Sequence, residues 1–173
     1  MTKGSLNTVY FCACIQNTWS SCRKGDIIMR ELANHILSVA HRSDSPITNL
    51  QLQKIMYFTL GFMIQNNISI NFARDIFEES PMEAWLYGPV VPEIYETYKK
   101  YKSSPIPDEG EISEILEVPQ LGLVIRNLID INPFILVEIS HEHRFWDQHR
   151  NAIVHTNERP QYTFDDLVEA FNG

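Results

Sequence analysis

From Met29 onward the apolar positions fall into a regular order. In MRELANHILSVAHR, Met29, Leu32, Ile36 and Val39 recur at intervals of three and four, which puts them on one face of an amphipathic helix. Asp26 stands just ahead of it as a candidate cap. Pro46 in SDSPI disfavours helix at Ser45 and breaks the chain. The next run, TNLQLQKIMYFTLGFMIQNN, has a different pattern: Leu52, Ile55, Met56, Phe58, Leu60, Phe62 and Met63 surround the axis. A helix apolar all round predicts a central, buried element. Thr48 and Gln51 have the spacing of a capping box, and Asn66-Asn67 marks the end. Gly61 inside the helix costs about 1 kcal/mol of propensity, so a neighbour is expected to pack closely there.

The stretch INFARDIFEESPMEAWLYG is expected to be irregular, with one or two short strands. Met82, Ala84 and Leu86 alternate with Glu83, Trp85 and Tyr87, the period of a strand. The chain then turns hard at GPVVP. Gly88 permits a backbone turn that other residues resist. Pro89 and Pro92 fix their own φ and remove two donors, and Val91, ahead of Pro92, is pushed extended. Pro92 suits the first position of a helix, where its missing N–H costs nothing. Ile94, Tyr98 and Tyr101 follow on one stripe with Tyr95 beside it. Glu93 and Glu96 near the start, and Lys99, Lys100 and Lys102 near the end, suit the helix dipole. The two prolines therefore have a structural cause, a strand-to-helix corner.

Beyond it, KSSPIPDEGE reads as a turn-rich exposed connection. ISEILEVPQLGLVIRNLIDINPF carries further apolar positions, with Pro119 and Gly122 at a helix boundary, and YTFDDLVEAF reads as a closing helix capped by Thr163. No repeat or low-complexity tract is visible. The expected fold class is mainly α: a single compact helical domain with one or two short β-strands before the Gly-Pro corner.

Composition narrows the function classes. At 173 residues, 44% hydrophobic and 21% charged, the chain suits one globular domain. A formal net charge of -8 argues against a nucleic-acid backbone or an anionic membrane as the main partner, since both call for an excess of Lys and Arg. The longest wholly apolar run, Val9 to Ile15, is too short to span a bilayer. It is also a poor signal peptide, so a cytoplasmic location is expected. Cys12, Cys14 and Cys22 are odd in number and incomplete as a zinc set. The first 28 residues show neither helical period nor strand alternation. Arg-Lys-Gly-Asp at 23–26 is codable by a purine-rich ribosome-binding sequence, which would place Met29 where a start belongs. Residues 1–28 are therefore expected to be translated upstream sequence or a loosely held extension.

Chemistry is thinly signalled. There is no G-x-G-x-x-G, no G-x-x-x-x-G-K-[ST] and no G-x-S-x-G. The best candidate cluster is SHEHRFWDQHR, where His141, Glu142, His143 and His149 could ligate a metal, or His141 with Asp147 could act as a base and its orienting partner. The spacing fits no standard ligand motif, so a polar helix start with surface histidines and one structural histidine is the plainer reading. A metal-dependent hydrolase using the His-rich segment 141–155 is the alternative function. YETYKKYK could touch nucleic acid by stacking and charge, but a solvated helix face suits it better.

LQKIMYFTLGF followed by EAWLYGPVVPEIYETYKKY resembles the Panacea, or SocA-like, antitoxin domain. Leu52, Lys54, Ile55, Met56, Tyr57 and Phe58 stand in its Leu-x-Lys-Leu-Leu-Tyr-Phe helix. Ala84, Trp85, Gly88, Pro89, Val90 and Pro92 stand in its Ala-Trp-x-x-Gly-Pro-Val-x-Pro motif. A later His and Trp correspond to His141 and Trp146, with Phe145 where members often carry proline. The likeness covers about residues 29–171, and assigns 29–173 to one antitoxin-like domain. It implies a mostly helical, non-enzymatic domain of bacterial toxin–antitoxin pairs, mobile elements and prophages, with no cofactor. Such a domain neutralises a cognate toxin, encoded by the adjacent gene, through direct protein–protein binding, and is compatible with homo-oligomers. Lys54, Tyr57, Trp85, Gly88, Pro89, Val90, Pro92, Tyr95, His141 and Trp146 are its motif residues, serving the fold or partner binding. An acidic surface facing a basic or nucleic-acid-targeting toxin would speed association.

Overall fold

A computed structural model describes residues 29–172; the three cysteines, the Asp26 cap and the proposed extension lie outside the described residues. The chain runs through α1 (Met29–Arg42), α2 (Asn49–Gln65), α3 (Ile70–Glu79), β1 (Glu83–Trp85), β2 (Gly88–Val90) and α4 (Pro92–Tyr98), which tightens into a 3-10 turn over Lys99–Tyr101. It continues with α5 (Pro119–Asp130), α6 (Pro133–Glu142), α7 (Arg144–Thr156) and α8 (Phe164–Asn172). The fold is mainly α, with one two-stranded antiparallel sheet among the described residues.

α2 is the central element, as its all-round apolar character predicts. It touches α1, α3, α4, α5, α6, α8 and β2, and Leu52, Ile55, Met56, Tyr57, Leu60 and Met63 are fully buried. Its start is the capping box: Thr48 Oγ1 accepts from the Gln51 N–H at 3.3 Å, and Gln51 Oε1 accepts from the Thr48 N–H at 2.9 Å. Its glycine is a packing device. A Cβ on Gly61 would overlap the Phe171 ring of α8. α8 repeats the capping logic, with the Thr163 N–H donating to Asp166 at 2.7 Å and the Asp166 N–H to Thr163 Oγ1 at 3.2 Å.

Two expectations are corrected. Ile70–Glu79 is a helix, not irregular chain; Phe72, Ala73, Ile76 and Phe77 sit on one buried stripe at helical spacing. One short strand, β1, precedes the Gly-Pro corner as expected, and its partner is built from Gly88, Pro89 and Val90 themselves, paired as Glu83↔Val90, Ala84↔Pro89 and Trp85↔Gly88. A central proline is tolerated because its face away from β1 needs no N–H: the Pro89 carbonyl is the group that is satisfied there. The inward alternation holds for Met82 and Ala84 but stops at Leu86, which is 49% exposed in the two-residue turn.

The connection after α4 is largely exposed but is pinned at intervals. The Ile106 N–H donates to Ile47 O at 2.8 Å, the Glu111 N–H to Asn34 O at 3.1 Å, and Ile106 is buried. Pro119 holds the first position of α5 and Gly122 lies inside it, so the proline sets that boundary. α6 and α7 are separated by a single extended residue, His143.

Candidate functional site

Motif residues from three separated stretches of the chain meet around the β1–β2 turn. Lys54 comes from the buried face of α2 and is fully inaccessible. Its Nζ donates to the Pro89 carbonyl at 2.6 Å. It makes no ion pair among the described residues, and burial holds its amine well below the ordinary lysine range. One residue along α2, Gln53 accepts from the Val91 N–H at 2.8 Å through Oε1. Gln53 in turn donates to Asn49 Oδ1 at 3.3 Å, and Asn49 donates to the Tyr95 carbonyl at 3.1 Å. Three polar side chains on one stretch of α2, Asn49, Gln53 and Lys54, thus satisfy the backbone of the Gly-Pro corner and of α4. Buried carbonyls and N–H groups without such partners cost about 1–3 kcal/mol each.

Gly88 occupies a backbone position with φ of +85°. A Cβ there would overlap Ser140 Oγ of α6 and lie 2.9 Å from Lys54 Nζ. Glycine is required twice over, for the left-handed φ and for the close approach of α6. Val90 and Val91 are buried, and Pro92 opens α4.

Behind the turn, Trp146 of α7 is buried and its Nε1–H donates to the Trp85 carbonyl at 2.9 Å. His141 lies flat on the Trp146 ring, 3.5 Å between centroids with planes 11° apart. Burial first, then the Lys54 and Arg150 charges, hold His141 down at about 4, against a backbone hydrogen bond at Leu86 that pushes it up. Its Nε2 is buried without a protein partner. His143 goes elsewhere: its Nδ1 lies 2.6 Å from the Tyr57 hydroxyl. Burial holds the ring below its usual pKa and raises that of the phenol, and the imidazole tautomer sets which of the two donates. His149 contacts the Phe145 carbonyl of its own helix at 2.8 Å, and His155 is exposed at the end of α7. The four imidazoles therefore diverge. No group of three or more His, Cys, Asp or Glu side chains is placed to hold a metal ion among the described residues.

On the solvent side of the turn is an open groove of about 620 Å³. Trp85, Tyr95 and Val90 form part of its wall, with the Trp85 and Tyr95 rings edge to face at 4.8 Å. The Trp85 Nε1–H donates to Glu83 at 2.8 Å, and the Arg159 guanidinium lies 4.0 Å over the indole. Leu86, Tyr87 and Phe134 line the same groove, 49%, 54% and 55% exposed. Its charged lining is Lys99, Lys102 and Arg159 against Glu158. Sequence reasoning did not single out Asn49, Gln53, Ser140, Phe134 or Arg159. Asn49 and Gln53 did leave a signal, two amides four residues apart in an otherwise apolar helix. Phe134 and Arg159 left none, because only folding brings them to the same groove as Trp85.

The chain is similar to Antitoxin SocA of Caulobacter vibrioides (strain NA1000 / CB15N), with 37% identity over 70 residues, 40% of this chain and 34% of that protein. It thus spans about a third of the length of the curated relative it matches. This likeness supports the SocA-like part of the resemblance. No protein-family model matches the sequence. No solved structure matches it. No helix among the described residues is long and apolar enough to cross a membrane.

Proposed function

We propose that this chain is the antitoxin of a bacterial toxin–antitoxin pair, acting in the cytoplasm by binding its toxin directly, with the toxin encoded by the adjacent gene. The similarity to Antitoxin SocA carries the reading. The Panacea-like motif residues divide into two roles. Lys54, Gly88, Pro89, His141 and Trp146 face inward around the corner, Tyr57 is buried against His143, and the buried Val90 also edges the groove. Trp85, Pro92 and Tyr95 are part-buried, and Trp85 and Tyr95 reach the groove on the outer side. The inward set makes a rigid support and the outer set belongs to the surface a partner meets. A hydrolase built on the histidines lacks a converging ligand set among the described residues.

Co-expression tests the reading. The adjacent gene, expressed alone, should arrest growth, and this chain in the same cell should restore it and co-purify with the toxin. A neighbour that is harmless alone, or that stays toxic beside this chain, sinks the proposal.

A further inference from the structure

The groove beside the β1–β2 turn has a character at odds with the molecule that carries it. The chain has a net charge of -8, yet three of the four charged residues lining the groove are basic. Lys99 is partnered by Glu96 one turn back. Lys102 and Arg159 make no ion pair among the described residues, and Arg159 is spread over the Trp85 ring instead. Glu158, the single acid, is engaged by the Thr156 hydroxyl at 2.9 Å. Two cations thus flank the groove without a carboxylate of their own.

Between them lies apolar surface from two elements far apart in sequence, Leu86 and Tyr87 from the turn and Phe134 from the start of α6. Half-exposed large side chains gathered around one depression are what buried anchors of a partner need. The turn is also held from behind, by Trp146 on the Trp85 carbonyl and by Lys54 on the Pro89 carbonyl. A surface fixed in this way loses little conformational freedom when it binds. The cavity of about 620 Å³ suits a few large side chains rather than a whole domain face.

We propose that this groove receives an extended segment of the protein partner in which an aromatic or large aliphatic anchor is flanked by acidic residues. The anchor sits against Tyr87 and Phe134, and the carboxylates meet Lys102 and Arg159. This rests on the reading of the chain as a toxin-binding protein and reverses, at the groove, the expectation that an acidic surface meets a basic toxin. Single-stranded nucleic acid also stacks on aromatic rings and follows basic residues. The net negative charge of the chain and the aliphatic Leu86 in the lining favour a peptide segment.

The test uses the full chain and the toxin it neutralises. Co-expression of the wild type decides the functional reading by itself: without protection, that reading fails and this inference falls with it. Given protection, the groove is tested with Tyr87→Ser plus Phe134→Ser and, separately, Lys102→Glu plus Arg159→Glu. All four side chains are exposed, and unchanged thermal melts confirm that the variants fold. Each pair should weaken toxin binding by about tenfold or more. The charge-reversed pair should also lose most of the salt sensitivity of the wild type. An array of overlapping toxin peptides should show binding on acidic segments with an aromatic or aliphatic centre. Lys substituted for the acids in such a peptide should restore its binding to the charge-reversed variant. Full protection and unchanged affinity in both variants would overturn the groove while leaving the antitoxin reading in place. Binding confined to Lys- and Arg-rich peptides would overturn the charge assignment. Groove-dependent binding of a labelled oligothymidine, with no peptide bound, would overturn the choice of partner.

Discussion

Lys54 Nζ, buried in the centre of the molecule, donates to the Pro89 carbonyl oxygen at 2.6 Å, thirty-five positions along the chain. The bond joins the two motifs of the sequence, the apolar helix and the Gly-Pro corner. It satisfies the one backbone group of β2 that faces α2, and it places an amine where no carboxylate balances it. The first prediction follows from that imbalance.

Because burial depresses the Lys54 amine, the unfolded chain binds a proton that the folded chain has released. Between the folded and the ordinary lysine pKa, stability therefore rises with pH, by about 1.4 kcal/mol per unit where the difference is a full proton. Lys54→Met removes the slope. Urea denaturation of both proteins at about pH 7 and about pH 10 should show the wild type gaining on the variant. Parallel curves would mean that the ammonium stays charged inside the fold.

Gly88→Ala should be strongly destabilising, by at least about 2 kcal/mol. The added methyl meets both a left-handed φ and the Ser140 hydroxyl. Ser140→Gly in the same chain relieves the contact but not the backbone strain, so it should recover part of the loss. A single-variant change below about 0.5 kcal/mol, the range of ordinary surface substitutions, would contradict the geometry.

At Gly61 two effects oppose each other. Alanine gains about 1 kcal/mol of helix propensity, but its methyl would overlap the Phe171 ring. The clash should win, lowering the melting temperature and loosening α8. In a Phe171→Ala background the order should invert, with Gly61→Ala becoming neutral or stabilising. The thermal melts of the four proteins in this cycle measure the coupling directly.

His141 stays neutral to about 4 in the fold, against 6.5 for a free imidazole. Below 6.5 the unfolded state takes up the proton first, so the His141 contribution to stability should fall as pH drops through that window and stay constant above it. His35 and His143, also depressed by burial, contribute in the same direction. His141→Phe keeps a flat ring on Trp146, removes the unpartnered Nε2, and should flatten this acid limb without abolishing it. Denaturation midpoints across the window check it. An acid limb of unchanged steepness would place His141 in contact with water or with an anion.

Much of the fold was legible in the residues. The all-round apolar pattern named α2 as the core helix, and Thr48 with Gln51 marked where it begins. Gly61 announced a close neighbour, though only the fold could say that it is Phe171. Helix α3 was missed because Ser69 gives it no side-chain cap and its buried stripe is short, so the local signal was weak. Leu86 followed the strand alternation on paper, but the alternation ends where the backbone turns.

The sequence by itself determined what depends on near neighbours: period, caps, the proline-fixed corner, the need for glycine at position 88. Only the tertiary structure decided which polar groups compensate one another and which are left over. Lys54 finds Pro89, Gln53 finds Val91 and His141 finds Trp146, whereas Lys102 and Arg159 find no acid among the described residues. Hydrogen-bond partners and the gap between elements are set by the packing of segments far apart in the chain. A groove lined by residues from 48 to 159 leaves no trace in any local window.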